Sequence, residues 1–315
     1  MTYTTRKPTG AVPWPVMLIA GTEKAGKTYA CAEAANSDLI GHTYWITVGE
    51  EQPDEYGQLA DFDIIEHDGT YRGILGAVEF ACAQPATDGK PNLIVLDSAG
   101  RVWNLLSEQA QETANERARR KNRTVGPDGA PITMDLWNTA KQRWNHILDT
   151  LRRHHGPVIV TARLDQVTVM DGDKPTSEKQ WKVQAEKNLP FEVGAIVQLR
   201  SFGEAYLTGV RSLRFKPKPN EYTRLDDFTV DDLWRKLGLA DGGADREHAS
   251  LAPQGEDAER AALLQQVLDA ATAAKVPPSD VATEWAETHD GQLISEATDL
   301  GGLELLRDDL LARAA

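Results

Sequence analysis

The chain has 315 residues, 41% of them apolar, a net charge of −14 and two cysteines, Cys31 and Cys82. That length fits one large domain with a small one, and the apolar content excludes global disorder. Two cysteines exclude a disulfide framework and suit a reducing cytoplasm; without an apolar run of signal-peptide or membrane-span length, the sequence predicts a soluble intracellular protein with no membrane contact.

Residues 1–13 are polar with Pro and Gly and read as a flexible arm that Trp14 anchors. Pro15-Val16-Met17-Leu18-Ile19-Ala20 reads as a short buried strand. It runs into Gly21-Thr22-Glu23-Lys24-Ala25-Gly26-Lys27-Thr28, a full match to the phosphate-cradling pattern G-x-x-x-x-G-K-[ST]. Tyr29 then opens an alanine-rich helix. Strand, glycine loop and helix are the context this pattern needs. Glycines let the backbone turn its N–H groups onto a phosphate chain, and the helix N-terminus adds positive potential at the same spot. Lys27 is expected on the β- and γ-phosphates of ATP, and the Thr28 hydroxyl on Mg²⁺.

A second strand over 43–48 leads into Gly49-Glu50-Glu51-Gln52-Pro53-Asp54-Glu55-Tyr56. A glutamate at that strand end can orient the attacking water. Chemistry alone leaves Glu50 and Glu51 open, and a solvated acidic loop is the alternative. Asp54 and Tyr56 are candidates to flank the adenine, Tyr56 by stacking. A short third strand at 63–66 and a helix over 71–84 follow. The near-continuous apolar run over 92–97 ends in Asp97, with Ser98 next. A carboxylate at the C-terminal sheet edge is expected to hold the Mg²⁺ water shell.

Residues 136–155 have the apolar spacing of a helix, with Trp137, Trp144, Ile147, Leu148 and Leu151 on one side. The buried strand over 157–161 closes in Thr161-Ala162-Arg163. Arg163 is a candidate sensor of the γ-phosphate, with a surface arginine as the alternative. Apolar strands alternating with helices predict a parallel sheet covered on both faces. Beyond Arg163, short runs at 167–170, 181–183, 195–199, 205–210 and 213–215 predict antiparallel strands at the sheet edge. Residues 229–237 read as a capped closing helix.

Residues 241–255 are a linker by composition. Residues 256–315 predict a small acidic all-helical domain, with helices over 256–274, from 278 and over 303–314. The segment 241–315 holds 16 acids and 5 bases, which leaves 32 and 29 for residues 1–240. A nearly neutral core can still carry a basic patch. The densest one is Arg117, Arg119, Arg120, Lys121 and Arg123, in the polar stretch 103–133. Phosphate contacts there would give salt-dependent, sequence-independent binding. A helix face balanced by Glu108, Glu112 and Glu116 is the alternative.

The glycine loop 21–28, the run Ile46-Thr47-Val48-Gly49-Glu50 with Asp54 and Tyr56 beyond it, Leu93-Ile94-Val95-Leu96-Asp97-Ser98 and Val158-Ile159-Val160-Thr161-Ala162-Arg163 come in an order that resembles the RecA-type recombinase ATPases. Most similar are the phage-encoded minimal RecA-like proteins that act as single-strand annealing recombinases. The resemblance spans about residues 14–240. It implies an α/β RecA-like P-loop NTPase core, a parallel sheet flanked by helices and extended by antiparallel strands. It also implies slow, DNA-stimulated hydrolysis with ATP and Mg²⁺, Glu50 rather than Glu51 as base, and the basic stretch as a DNA-contacting loop. Expected partners are single-stranded DNA, a phage or host single-strand-binding protein, and further copies of the chain in a ring or filament. Lys187 is the candidate to reach a neighbour's nucleotide, and the setting is the cytoplasm of a bacterial host. The chain departs from bacterial RecA in lacking an obvious N-terminal polymerisation helix and a Gly-rich second DNA loop after Arg163. The competing class is a P-loop motor or regulator that acts on protein partners through the acidic helical tail. A small-molecule kinase fits the antiparallel half poorly.

Overall fold

The structure, a computed structural model, describes residues 5, 7–172, 174–215, 222–244, 255–289, 291–297 and 299–314, with side chains except at 255–259 and 314. The chain divides into two compact units, Met1–His248 and Ala249–Ala315.

The first unit is built on one sheet. Strands β1 (Val16–Gly21), β2 (Thr43–Thr47), β3 (Asp63–Ile64), β4 (Leu93–Asp97) and β5 (Val158–Asp171) run parallel in the order β3-β2-β4-β5-β1. Every residue of β1 and β4 is buried, which accounts for their unbroken apolar runs. Alternate residues of β1 serve opposite faces. Val16, Leu18 and Ala20 join the core under helices α2 (Tyr71–Ala83), α3 (Ala99–Arg120) and α4 (Met134–Arg153). Met17 and Ile19 join the core under α1 (Lys27–Ala34) and α6 (Val230–Leu237), with Trp45 and Trp234. Each large apolar side chain buried this way stabilises the fold by about 1.5–3 kcal/mol.

The edge beyond β1 differs from the sequence expectation. Strand β7 (Ala195–Ser201) pairs with β1 in parallel, because the chain returns through the short helix α5 (Leu189–Glu192) before entering it. Only β8 (Glu204–Val210) and β9 (Thr223–Leu225) continue antiparallel. Residues 213–215 form no strand. The runs at 167–170 and 181–183 belong to one hairpin: β5 continues past the core and pairs with β6 (Lys174–Gln184), from Arg163 opposite Gln184 to Asp171 opposite Lys174. Past Leu164 most of its side chains are exposed.

The polar stretch after Asp97 is a helix. Ser98 caps α3, its hydroxyl accepting the Arg101 N–H at 3.3 Å. Val102, Leu106, Ala110 and Ala114 form its buried stripe. Gly100 sits where the backbone of β6 crosses α3, and a Cβ there would stand 2.5 Å from the Gln184 carbonyl oxygen.

Of the linker expected over 241–255, residues 245–254 lie outside the described residues. Ala244 is tied to the N-terminal segment, with Trp14 donating to its carbonyl at 3.1 Å and its own N–H donating to Val12 at 2.9 Å. The second unit contains α7 (Gly255–Ala273), α8 (Pro278–Thr288) and α9 (Leu300–Ala314). They pack around Leu263, Val267, Val281, Trp285, Leu303 and Leu310. Among the described residues no helix is long and apolar enough to cross a membrane.

Gly100→Ala is expected to destabilise the first unit by about 1–3 kcal/mol, since the clashing atom is backbone and cannot rotate away. A lower urea midpoint with an unchanged slope would show it.

Candidate functional site

Three of the parallel strands bring the candidate groups to one edge. β5 lies between β1 and β4, so the glycine loop after β1, Asp97 at the end of β4 and Thr161 within β5 converge. Asp97 is 3% exposed. One of its carboxylate oxygens accepts from Thr28 Oγ1 at 3.3 Å, and the other accepts from Thr161 Oγ1.

The glycine loop has the shape its residue types demand. Gly26 has a φ of +91°, in the left-handed region, and stands directly before the first turn of α1 with no side-chain cap on the helix. The free N–H groups of that turn are suited to an anion. Gly21 is needed for another reason: a Cβ there would stand 2.9 Å from Cγ of Lys27. The Lys27 stem passes through that space, and its ammonium donates to the Gly21 and Thr22 carbonyls at 3.2 and 3.0 Å. The loop is also anchored to β7, with Thr22 N–H on Leu199 O at 3.1 Å and Thr22 Oγ1 on Arg200 O at 3.0 Å. Glu23 and Lys24 are exposed, and Ala25 is buried.

Burial sets the electrostatics of this pocket. Burial pushes the Asp97 carboxyl above its ordinary value, and Glu50 adds to the push; the Thr161 and Thr28 hydroxyls and Lys27 oppose it. Burial pulls the Lys27 ammonium down against the attraction of Asp97 and Glu50. The buried Cys31 thiol is raised well above the ordinary range by burial and by Asp97. A hydroxyl and a carboxylate together are hard oxygen donors of the kind Mg²⁺ takes, and a cation there would offset the burial of Asp97. Among the described residues no group of three or more His, Cys, Asp or Glu side chains could hold a metal. Mg²⁺ on a nucleotide needs none, because phosphates and water complete its shell.

Glu50 follows β2 and is held on three sides. Its Oε1 accepts from Ser98 Oγ at 3.1 Å. Arg163 Nη2 lies 3.5 Å from each of its oxygens. Arg101 Nε lies 3.6 Å from Oε1. The Arg101 stem runs over Gly49, whose φ is +63° and where a Cβ would stand 3.1 Å from Cγ of Arg101. Ser98 and Arg101 were not read as site residues from the sequence. Their signal is the capping Ser98 itself, which sets the first turn of the helix beside the carboxylate. Glu51 is exposed.

Asp54 and Tyr56 lie in a short 3₁₀ turn, Asp54–Gln58. Asp54 is exposed, whereas Tyr56 packs on the core under α1. Burial raises the Tyr56 hydroxyl, with Glu55 and Asp97 adding to it. Three further aromatic residues, Tyr29, Phe202 and Phe228, line a groove of about 340 Å³ beside Gly26 and Ala30. The Phe202 ring comes within 3.6 Å of the Cβ position of Gly26. These rings are a second candidate surface for a nucleotide base.

The basic cluster does not form a loop next to the Asp97 strand, as the resemblance implied. Arg117, Arg119 and Arg120 end the 22-residue α3, and Lys121 is its C-cap; the helix carries them about 30 Å from its start. Arg117 is paired with Asp135 at 2.5 Å. Arg119, Arg120, Lys121 and Arg123 are exposed, as is Lys187.

A glycine loop before a short helix, a buried acid on the next strand but one and a doubly covered parallel sheet define a P-loop ATPase. The chain belongs to the AAA domain family, whose model matches residues 15–224, and it is an ATP-hydrolysing P-loop enzyme. No curated protein matches it. Among solved structures, the RadB recombinase is similar at 17% identity with a TM-score of 0.36, over 69% of this chain and 89% of that one. A type III secretion ATPase of pathogenic bacteria is similar at 12% identity with a TM-score of 0.31, over 96% and 80%. EscN, from enteropathogenic E. coli and solved with its central stalk EscO, is similar at 8% identity with a TM-score of 0.34, over 97% and 73%.

The raised Asp97 carboxyl has a stability consequence. The folded state binds its proton more tightly than the unfolded chain, so stability falls as pH rises from the ordinary carboxylate value through the raised one. Ionising the buried Asp97 therefore costs the folded protein stability. Asp97→Asn is therefore expected to raise the thermal midpoint of the nucleotide-free protein at neutral pH, with the gap shrinking toward pH 4, as read by calorimetry across that range.

Proposed function

We propose that this ATPase is an ATP- and Mg²⁺-dependent recombinase that binds single-stranded DNA and promotes annealing or strand exchange. The observation that carries this reading is the contact between Glu50 and Arg163. Glu50 is the candidate to orient water on the γ-phosphate. Arg163 stands at the foot of the long exposed hairpin β5–β6, opposite Gln184. A polymer lying along the hairpin would bear on the residue that restrains the base. That supports slow basal hydrolysis and stimulation by DNA.

In this reading Lys27 and the N–H groups of residues 21–28 hold the triphosphate. Thr28 and Asp97 hold Mg²⁺, which supplies positive charge on the phosphates. Arg163 senses the γ-phosphate that takes its place beside Glu50, and the base lies against Tyr56 and Asp54 or in the groove of Tyr29, Phe202 and Phe228. The exposed bases Arg119, Arg120, Lys121 and Arg123 add phosphate contacts, with Arg117 paired to Asp135. Copies of the chain assemble in a ring or filament, where Lys187 reaches a neighbour's nucleotide. The protein works in the cytoplasm of a bacterial host as a phage product, beside a single-strand-binding protein.

Glu50→Gln is expected to keep MgATP and single-stranded DNA binding while slowing hydrolysis about 10²–10⁴-fold, the usual worth of a general base. Gel shifts at low and moderate salt, beside steady-state turnover, test this. Wild-type protein that fails to bind single strands with MgATP present contradicts the DNA reading. Unchanged turnover in Glu50→Gln moves the base elsewhere.

A further inference from the structure

Arg200, near the end of β7, is surrounded by three aromatic rings from three separate segments. Its guanidinium carbon lies 4.2 Å from the centre of the Tyr206 ring, 4.7 Å from Tyr222 and 5.4 Å from Trp181. Gln198 fixes the plane from below, its Oε1 accepting from Arg200 Nε and Nη2 at 3.3 and 3.2 Å. Trp181 belongs to the hairpin strand β6, Tyr206 to β8, and Tyr222 precedes β9.

This cluster is built at the surface. Tyr222 is 55% exposed, and Trp181, Arg200 and Tyr206 are half-buried. Arg224 stands directly across the ladder from Tyr206 on the same face. Its side chain is 58% exposed, with Asp226 at 3.1 Å. The cluster also adjoins the glycine loop, because the Arg200 carbonyl holds the Thr22 hydroxyl.

The chemistry narrows the ligand. A cage of rings can hold a cation, but here Arg200 already fills the space between them. What stays open is the outward π-face of Tyr222 and the rim of the cluster, flat surfaces next to a second guanidinium. Such surfaces stack on unpaired nucleobases without regard to sequence, while cations take the backbone phosphates. A duplex hides its base faces and gains nothing from them.

We propose that Trp181, Arg200, Tyr206 and Tyr222 form a stacking platform for unpaired bases of single-stranded nucleic acid, with Arg224 on the adjoining phosphate. This rests on the DNA reading above and deepens it. It assigns base contacts to the sheet edge beside the glycine loop and leaves the end of α3 with phosphate contacts alone.

The test is fluorescence anisotropy on the full chain with MgATP, using labelled oligothymidylate and an abasic strand of equal length and charge. Tyr222→Ala removes the most exposed ring without opening the core, and unchanged basal ATPase activity reports that the variant is folded. It is expected to weaken oligothymidylate binding about 5- to 150-fold, the usual worth of one stacked base. Binding of the abasic strand should be unchanged, and Tyr222→Phe should restore affinity. Equal losses on both strands, or no loss on oligothymidylate, overturn the platform alone. Wild-type protein that binds neither strand overturns the platform together with the DNA reading.

Discussion

Asp97 is a carboxylate buried at the end of a central strand, and most of the site is arranged around the problem it creates. Two threonine hydroxyls donate to it, and Lys27 lies within electrostatic reach. These partners do not fully offset the cost of taking the charge out of water, since its proton affinity remains raised. The same field reaches Cys31 and Tyr56. A buried carboxylate with a hydroxyl beside it, next to the first-turn N–H groups of α1, is poised for a ligand that brings a cation and an anion together. A magnesium nucleotide is such a ligand. Mg²⁺ beside Asp97 would offset the cost of burying its charge.

The second constraint is mechanical. Glu50 and Ser98 follow the ends of β2 and β4, Arg163 lies within β5 where the hairpin begins, and Arg101 is in the first turn of α3, so none moves without the sheet edge or the hairpin. Gly49 and Gly100 allow the close approaches that pack them. At Gly49 the Arg101 stem lies over the backbone, and at Gly100 the carbonyl of Gln184 does. Gln184 is also the residue opposite Arg163 in the ladder. Nucleotide chemistry and the exposed hairpin therefore share a small set of backbone contacts.

The parts of this architecture that sequence exposes are those governed by local chemistry. The glycine loop, the apolar strands and Asp97 at a strand end are legible because residue type alone dictates them. The helical character of 99–120 was not, because its buried stripe after Leu106 is only Ala110 and Ala114. Small side chains leave a weak apolar period, and the flanking Glu and Arg residues mimic a loop. The parallel pairing of β7 was hidden for a different reason: direction depends on the path through 185–194, not on the strand's own residues. Ser98, Arg101, Arg200 and the ring set of Tyr29, Phe202 and Phe228 escaped notice because each acts through partners far away in the chain. The Glu50 alternative to Glu51 gains from geometry, as only Glu50 is engaged with Ser98 and two arginines.

If Arg163 is the link between the hairpin and Glu50, it is the residue at which DNA binding and hydrolysis part company. The most direct test is the hydrolysis rate of Arg163→Ala with saturating MgATP, with and without single-stranded DNA. The account predicts that the variant binds DNA and nucleotide but loses most of the acceleration DNA gives the wild type. DNA stimulation as large in Arg163→Ala as in wild type would contradict it.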